Sequence, residues 1–271
     1  MDEKTSENRI RINKYLSQAG VLSRRKADEA IKNGEITINE RVAVNGDMVL
    51  PTDEVRYKGE RVSAEGIRRV ILAYNKPLGL VCTSKESDKE SIFRKIDYPD
   101  MLYYVGRLDQ NSQGLLLLTN DGELANRIQK ARNNHEKEYL VRVDKPVTPD
   151  FLKGMSAGVP IPVDSIRTNG NGGTGFKTMQ GDASEYKGKM RTTKKCKVAR
   201  VRTGEGFSPD SFKIILTEGI NHQIRKMCEH FGYRVTYLKR IRVMNIKLGN
   251  LAPGTYRELT PEEENTLRKS L

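Results

Sequence analysis

The sequence predicts an α+β protein of two domains, on three observations. Segments of helical and of strand periodicity follow one another irregularly, which argues against a doubly wound sheet. At 271 residues and 36% hydrophobic composition, the chain has material for a sizeable core and a smaller appended module. Charge divides along the same line: residues 1–67 carry 12 Lys and Arg against 12 Asp and Glu, while residues 68–271 carry 36 against 23 and hold the whole net charge of +13. The expected domains are residues 9–67 and 68–271.

In the first domain, Ile12, Tyr15, Leu16 and Ala19 fall at helical spacing and Gly20 ends the helix. A second helix starts from Ser23 as N-cap, turns Ala27, Ala30 and Ile31 inward and closes at Gly34. The period then changes to two at Ile36, Ile38, Val42 and Val44, with turns at Asn39-Glu40 and Asn45-Gly46.

In the second domain, residues 63–69 form a polar link into a strand at 70–74, and Pro77 and Gly79 of NKPLG force a turn. Residues 91–96 suggest a short helix. Leu115, Leu116, Leu117 and Leu118, bounded by Gly114 and by Asn120, Asp121 and Gly122, read as a short strand covered on both faces. A helix follows through Leu124, Ala125, Ile128 and Ala131, reaching about Arg132, and Tyr139, Val141 and Val143 alternate as a half-buried strand. Thr148 and Pro149 start another helix, residues 212–216 form a strand, and a helix runs from about Asn221 to Gly232. Thr260, Pro261 and Glu263 open the last helix with a capping box. Residues 163–191 carry six glycines and no periodicity, and are expected to be a flexible surface insertion.

Composition excludes several function classes. The longest apolar runs fall far short of the roughly 18 residues a bilayer span needs, and MDEKTSENR has no signal-peptide core, so a soluble, cytoplasmic protein is expected. Cys82, Cys196 and Cys228 are too few and too scattered for a disulfide framework or a zinc site. NGNGGTG lacks the strand and helix of a dinucleotide loop, and no phosphate-binding loop or Ser-His-Asp arrangement is present, so any chemistry is expected to need no cofactor and no metal. The positive charge points instead to nucleic acid. Basic residues Arg9, Arg11, Lys14, Arg24, Arg25, Lys26 and Lys32 line the first two helices, and residues 187–202 hold eight Lys or Arg and no acid. Each run also reads as a solvated face.

Two stretches are candidates for a site. Asp109 sits in a polar turn between Tyr103, Tyr104, Val105 and the leucine strand, where a rigid strand backs a charged loop. Taken alone, it serves equally well as a turn cap. In TEGINHQIRKMCEHFG, residues 217–232, Ile224, Met227, Cys228 and Phe231 form an apolar helical face, so Arg225 leaves the helix near its first turn, beside Asn221 and Gln223. An arginine there can meet a carboxylate from another loop. Periodicity alone makes Tyr139 a core residue, Arg225 a salt-bridge partner and Arg107 a surface residue.

The motifs carry two resemblances. RINKYLSQAGVLSRRKADEAIKNGEITINERVAVNG resembles, over about residues 9–56, the alpha-L RNA-binding module first described in a small-subunit ribosomal protein. That likeness makes Arg11, Lys14, Arg24, Arg25 and Lys26 the expected phosphate contacts, which position a protein on RNA without reading sequence. NKPLG, GRLDQNSQGLLLLTNDG, HEKEYLV and EGINHQIRKMCEHFG, in that order, resemble the RsuA-like family of rRNA pseudouridine synthases. With SAGVPI and KKCKV the set most resembles the RluF type, which acts on large-subunit rRNA, although residues 163–191 depart from its pattern.

The resemblance implies a synthase domain with a mixed, mainly antiparallel sheet flanked by helices, isomerising a specific uridine of 23S rRNA without a cofactor. It implies that Asp109 attacks the target nucleoside, that Arg225 pairs with Asp109 and keeps it ionised, and that Tyr139 stacks on a flipped uracil. Arg107, Asn221 and Gln223 would contact RNA. A monomer is expected, and tRNA stands as a possible additional substrate. The rival reading is a non-catalytic RNA-binding ribosome assembly factor; a hydrolytic glycosidase fits less well, since only one good carboxylate is found where two are usual.

Overall fold

The computed structural model describes residues 9–85, 87–130, 134–163, 189–204 and 206–271. The expected insertion at 163–191 lies almost wholly outside the described residues.

The chain opens with β1 (Ile10–Arg11), α1 (Ile12–Gln18) and α2 (Arg24–Lys32), then β2 (Ile36–Ile38), β3 (Arg41–Val42), β4 (Met48–Val49), β5 (Val55–Tyr57) and β6 (Glu60–Val62). Ser23 caps α2 by accepting from the Lys26 amide. Asn39 and Glu40 both take positive φ between β2 and β3, the two-residue turn whose twist matches an antiparallel hairpin. Ile12, Leu16, Ala27, Ala30 and Ile31 of the helices pack against Ile36, Ile38 and Val55 of the β3-β2-β5-β6 sheet in a core of their own.

The remaining elements are β7 (Ile71–Lys76), β8 (Tyr103–Val105), β9 (Gln113–Thr119), α3 (Gly122–Gln129), β10 (Lys137–Val143), α4 (Pro149–Ala157), β11 (Pro160–Pro162), β12 (Met190–Thr192), β13 (Lys197–Thr203), β14 (Gly206–Leu216), α5 (Gln223–His230), β15 (Val235–Val243), β16 (Ile246–Lys247), β17 (Tyr256–Glu258) and α6 (Pro261–Lys269). Their main sheet has the order β13-β14-β10-β15-β9-β7-β17, with β8 also on β9 and β16 on β15. Its pairs are antiparallel except β9 with β15, so the fold is α+β and the sheet mixed but mainly antiparallel.

The leucine strand is covered on both faces. Leu115 and Leu117 pack with Leu124, Ala125 and Ile128 of α3, whereas Leu116 and Leu118 pack with Leu72, Tyr74, Ile92 and Leu108. Full burial of each leucine contributes about 1.5–3 kcal/mol. A third core, between β10, β14 and β15 and the helices α4 and α5, holds Val141, Val143, Phe151, Phe212, Met227 and Cys228.

Several boundaries differ from expectation. Residues 91–96 reduce to one 3-10 turn, Ile92–Arg94, capped by Ser91. Helix α3 is described as far as Gln129, the expected Ala131 and Arg132 lying outside the described residues, and the strand expected at 212–216 is the last half of an 11-residue strand. Strands β13 and β15 are not marked by sequence periodicity, because Lys and Arg occupy so many of their positions. The capping box of α6 forms as expected.

The N-terminal module is seated on the β8–α3 side of the main sheet. Ser17 Oγ lies 2.7 Å from Tyr103 Oη, Lys14 pairs with Glu123, and Arg69 donates to the carbonyls of Gln18 at 3.1 Å and Asn120 at 3.3 Å.

At the parallel joint Gly114 lies opposite Arg240 with φ of +102°, and a Cβ there would fall 2.3 Å from the Arg240 carbonyl oxygen. Backbone cannot yield as a flexible side chain does. Gly114→Ala is expected to cost about 2–4 kcal/mol of stability, read as a lower urea midpoint in equilibrium unfolding; an unchanged midpoint would show that the joint tolerates a side chain.

Candidate active site

Asp109 lies in the loop between β8 and β9, with 41% of its side chain exposed. Leu108 beside it is buried, and its amide donates to Cys82 Sγ at 3.5 Å, which fixes the entry to the loop. The turn after β7 fixes the middle: the Gly79 amide donates to the Gln110 carbonyl and Gln110 Nε2 donates back to the Gly79 carbonyl.

Beneath the loop lies Lys76, the last residue of β7 and 0% exposed. Its Nζ donates to the carbonyls of Ser112 at 2.8 Å, Pro77 at 3.0 Å and Asp109 at 3.2 Å. Three acceptors match the three hydrogens of an ammonium group. Burial pushes the Lys76 pKa down to about 8, opposed by the charge of Asp109, so Lys76 remains a cation at neutral pH. Arg240 of β15, 2% exposed, holds the loop's flanks: Nε donates to the Leu115 carbonyl at 2.7 Å and Nη1 to the Arg107 carbonyl at 3.4 Å.

The opposite wall is the start of α5. His222 precedes it in the left-handed region, φ 54° and ψ 29°, which is uncommon for a residue with a side chain. Its Nε2 lies 3.8 Å from Asp109 Oδ1. Burial lowers the His222 pKa and the Asp109 charge partly restores it. Arg225 donates through Nη2 to the Asn111 carbonyl at 2.7 Å and through Nη1 to the Val235 carbonyl at 3.3 Å. Among the described residues no ion pair within 4.0 Å joins Arg225 to Asp109, so the expected direct pairing is replaced by a longer-range attraction. That attraction raises the Arg225 pKa against the larger lowering by burial.

Tyr139, on β10 between Ile214 of β14 and Arg240 of β15, is partly buried and packs against both the α4–α5 core and the core around Tyr74. The register of β10 on β15 shifts between Glu138 and Tyr139, the kind of irregularity that re-aims a side chain beside a site. Two residues away, the Lys137 pKa is lowered by burial and by Arg240. The structure therefore brings Asp109, Arg225 and Tyr139 to one region and adds Lys76, His222 and Arg240 to it.

The remaining expected residues divide. Arg107 and Asn221 are exposed, as are Arg11, Arg24, Arg25 and Lys26 on the N-terminal module. Gln223 is buried rather than presented to RNA: its Nε2 donates to Glu218 and its Oε1 accepts from the Ile220 amide. Lys14 is partly exposed and pairs with Glu123 of α3. Lys76 has no sequence signal beyond membership of NKPLG, Arg240 none, and His222 only its place before Gln223 and Arg225. Among the described residues no group of three or more His, Cys, Asp or Glu side chains is placed to hold a metal ion, and no helix is long and apolar enough to cross a membrane.

Comparison with known proteins identifies the class. Residues 70–230 match the RNA pseudouridylate synthase family and residues 10–55 match the S4 domain, so the chain belongs to the RNA pseudouridine synthases, which are isomerases, and carries an RNA-binding S4 domain ahead of the synthase fold. It is 41% identical over 258 residues to the dual-specificity RNA pseudouridine synthase RluF of Escherichia coli (strain K12), covering 95% of this chain and 78% of that one. It is 30% identical to the ribosomal large subunit pseudouridine synthase B of Bacillus subtilis (strain 168), covering 95% of each. A crystal structure of a pseudouridylate synthase superposes with a TM-score of 0.62 at 25% identity, covering 95% of this chain and 99% of that one.

Lys76→Met is expected to leave the carbonyls of Pro77, Asp109 and Ser112 without a donor and to cost about 2 kcal/mol or more, read as a lower melting temperature together with faster proteolysis within residues 106–112. A melting temperature equal to that of the wild type would remove Lys76 from the loop's support.

Proposed function

We propose that this protein isomerises a specific uridine of large-subunit (23S) ribosomal RNA to pseudouridine, with Asp109 as the catalytic carboxylate and without a cofactor. The carrying observation is a partly exposed carboxylate on a loop braced by two buried cations, in the region where the partly buried Tyr139 packs against the core that holds Leu108. The names of the relatives support the substrate class: one is called a large-subunit enzyme, the other dual-specificity. A tRNA is accordingly the proposed second substrate. The protein acts as a cytoplasmic monomer.

The reaction breaks the bond from uracil N1 to ribose C1′, turns the base and joins C5 to C1′. C5 loses its hydrogen as a proton, and N1 ends protonated. Asp109 serves this exchange from the sugar or the base side. Tyr139 offers its ring to the flipped uracil, stacking that offsets part of a flipping cost of a few kcal/mol. Arg225 holds Asn111 and Val235 and so positions the wall facing Asp109. Arg107, exposed at the loop's entry, and Asn221 meet RNA around the base. Arg11, Arg24, Arg25 and Lys26 contact phosphates at a distance from the chemistry.

Tritium release from rRNA labelled at uracil C5 tests the reading, because joining the sugar at C5 must expel that hydrogen. Wild type is expected to release it from deproteinised large-subunit rRNA or from immature large-subunit particles; Asp109→Asn is expected to release none while retaining RNA affinity. Full activity of Asp109→Asn would sink the assignment of the carboxylate, and release only from tRNA would move the substrate.

Replacing both Arg24 and Arg25 by Glu is expected to weaken RNA binding and flatten the log–log salt dependence by about 2, the slope two phosphate contacts supply. An unchanged slope would take these residues off the RNA.

A further inference from the structure

We infer that the hairpin joining β13 to β14 is a second RNA contact, at which the side chain of Phe207, backed by Arg202, receives an unpaired base of the substrate RNA. The inference rests on the proposed RNA substrate. Phe207 is 54% exposed and is the most exposed Phe or Tyr among the described residues, ahead of Tyr256 at 37%. It stands across the strand pair from Arg202, whose guanidinium carbon lies 5.7 Å from the ring centroid. An aromatic ring with an arginine against it is a platform for a base, because every base has a π-face and the arginine adds attraction for the backbone.

A plainer account explains part of this surface. Among the described residues strand β13 is an edge of the main sheet, and charged side chains on an edge strand prevent pairing with other chains. That accounts for Lys197, Arg200 and Arg202, all exposed. It does not account for Phe207, because a bare phenyl ring beside an open edge favours the association those charges oppose.

Position favours RNA over a protein partner. Phe207 pairs with Arg202, and Ile214, the cross-strand neighbour of Tyr139, pairs with Val198, four residues or about 13 Å away along β13. The S4 domain sits on the β8–α3 side of β9, and β13 is four strand spacings from β9, about 19 Å. An RNA held by the N-terminal helices with its target base at Tyr139 therefore has the hairpin at the far edge of the same sheet. Lys197, Arg200 and Arg202, exposed along β13, lead from the register of Tyr139 to the hairpin.

The test is equilibrium binding of the full chain to deproteinised large-subunit rRNA over a salt series, with tritium release measured on the wild type in parallel. Phe207→Ala is expected to bind about 5- to 150-fold more weakly with its salt slope unchanged, the range of one lost stacking contact. Phe207→Trp is expected to restore affinity, and Arg202→Ala to reduce the salt slope by about 1. Because Phe207 is exposed, its variants should melt with the wild type, which excludes unfolding as the cause. Unchanged affinity of Phe207→Ala, with wild type binding and releasing tritium, overturns this contact and leaves the isomerase standing. A wild-type dimer that Phe207→Ala converts to monomer at equal RNA affinity also overturns it, making the tip a contact between copies. Failure of the wild type to bind or modify any RNA removes both.

Discussion

Lys76 carries a positive charge where water does not reach, and its desolvation costs several kcal/mol before any partner is counted. The partners that offset it are the backbone carbonyls of Pro77, Asp109 and Ser112, drawn from two different turns. The ammonium group is satisfied only when the turn after β7 and the Asp109 loop adopt these shapes together, so the charge selects one loop conformation out of many. Arg240 treats the flanks alike, reaching the carbonyls of Arg107 and Leu115. The two cations act on the backbone of the loop, while the Asp109 side chain itself stays 41% exposed and available to a ligand.

Around this arrangement the domain is two half-sheets sharing one seam. On one side β7, β8 and β9 pack into the cores around the leucines; on the other β10, β14 and β15 pack against α4 and α5. The seam is the short parallel pairing of β9 with β15, and Gly114 is the residue small enough to let the backbones meet. Tyr139 touches the cores of both halves, and His222 and Arg225 reach from the second half to the loop of the first. The site is thus assembled from both halves, each contributing groups the other lacks.

Much of this was legible in the sequence where one signal dominated. Four leucines between turn residues announce a doubly covered strand; Ser23, Thr148 and Thr260 announce helix starts, and each caps as its chemistry predicts. The order of motifs carried Asp109, Tyr139 and Arg225 to one region, which no local pattern could do. What stayed hidden were residues used against their usual habit. Lysine and arginine are seldom fully buried, so Lys76 and Arg240 left no trace, and Lys239, Arg240 and Arg242 disguised a central strand as a basic run. Gln223 is deceptive for the complementary reason: a polar residue in a motif looks available, yet its amide is consumed by Glu218 and Ile220. The pairing of Lys14 with Glu123 was equally illegible, because the partner comes from a distant part of the chain.

The seam also sets an order of events during synthesis. The S4 domain closes a core of its own within its first 62 residues, so it can form as soon as it leaves the ribosome. Arg240, by contrast, is separated by 125 residues from Leu115 and by 133 from Arg107, the carbonyls it holds. A nascent chain therefore has a folded RNA-binding end long before the Asp109 loop can be braced. Affinity for RNA precedes competence to act on it, and a chain cut short before β15 would bind as a competitor of the finished enzyme.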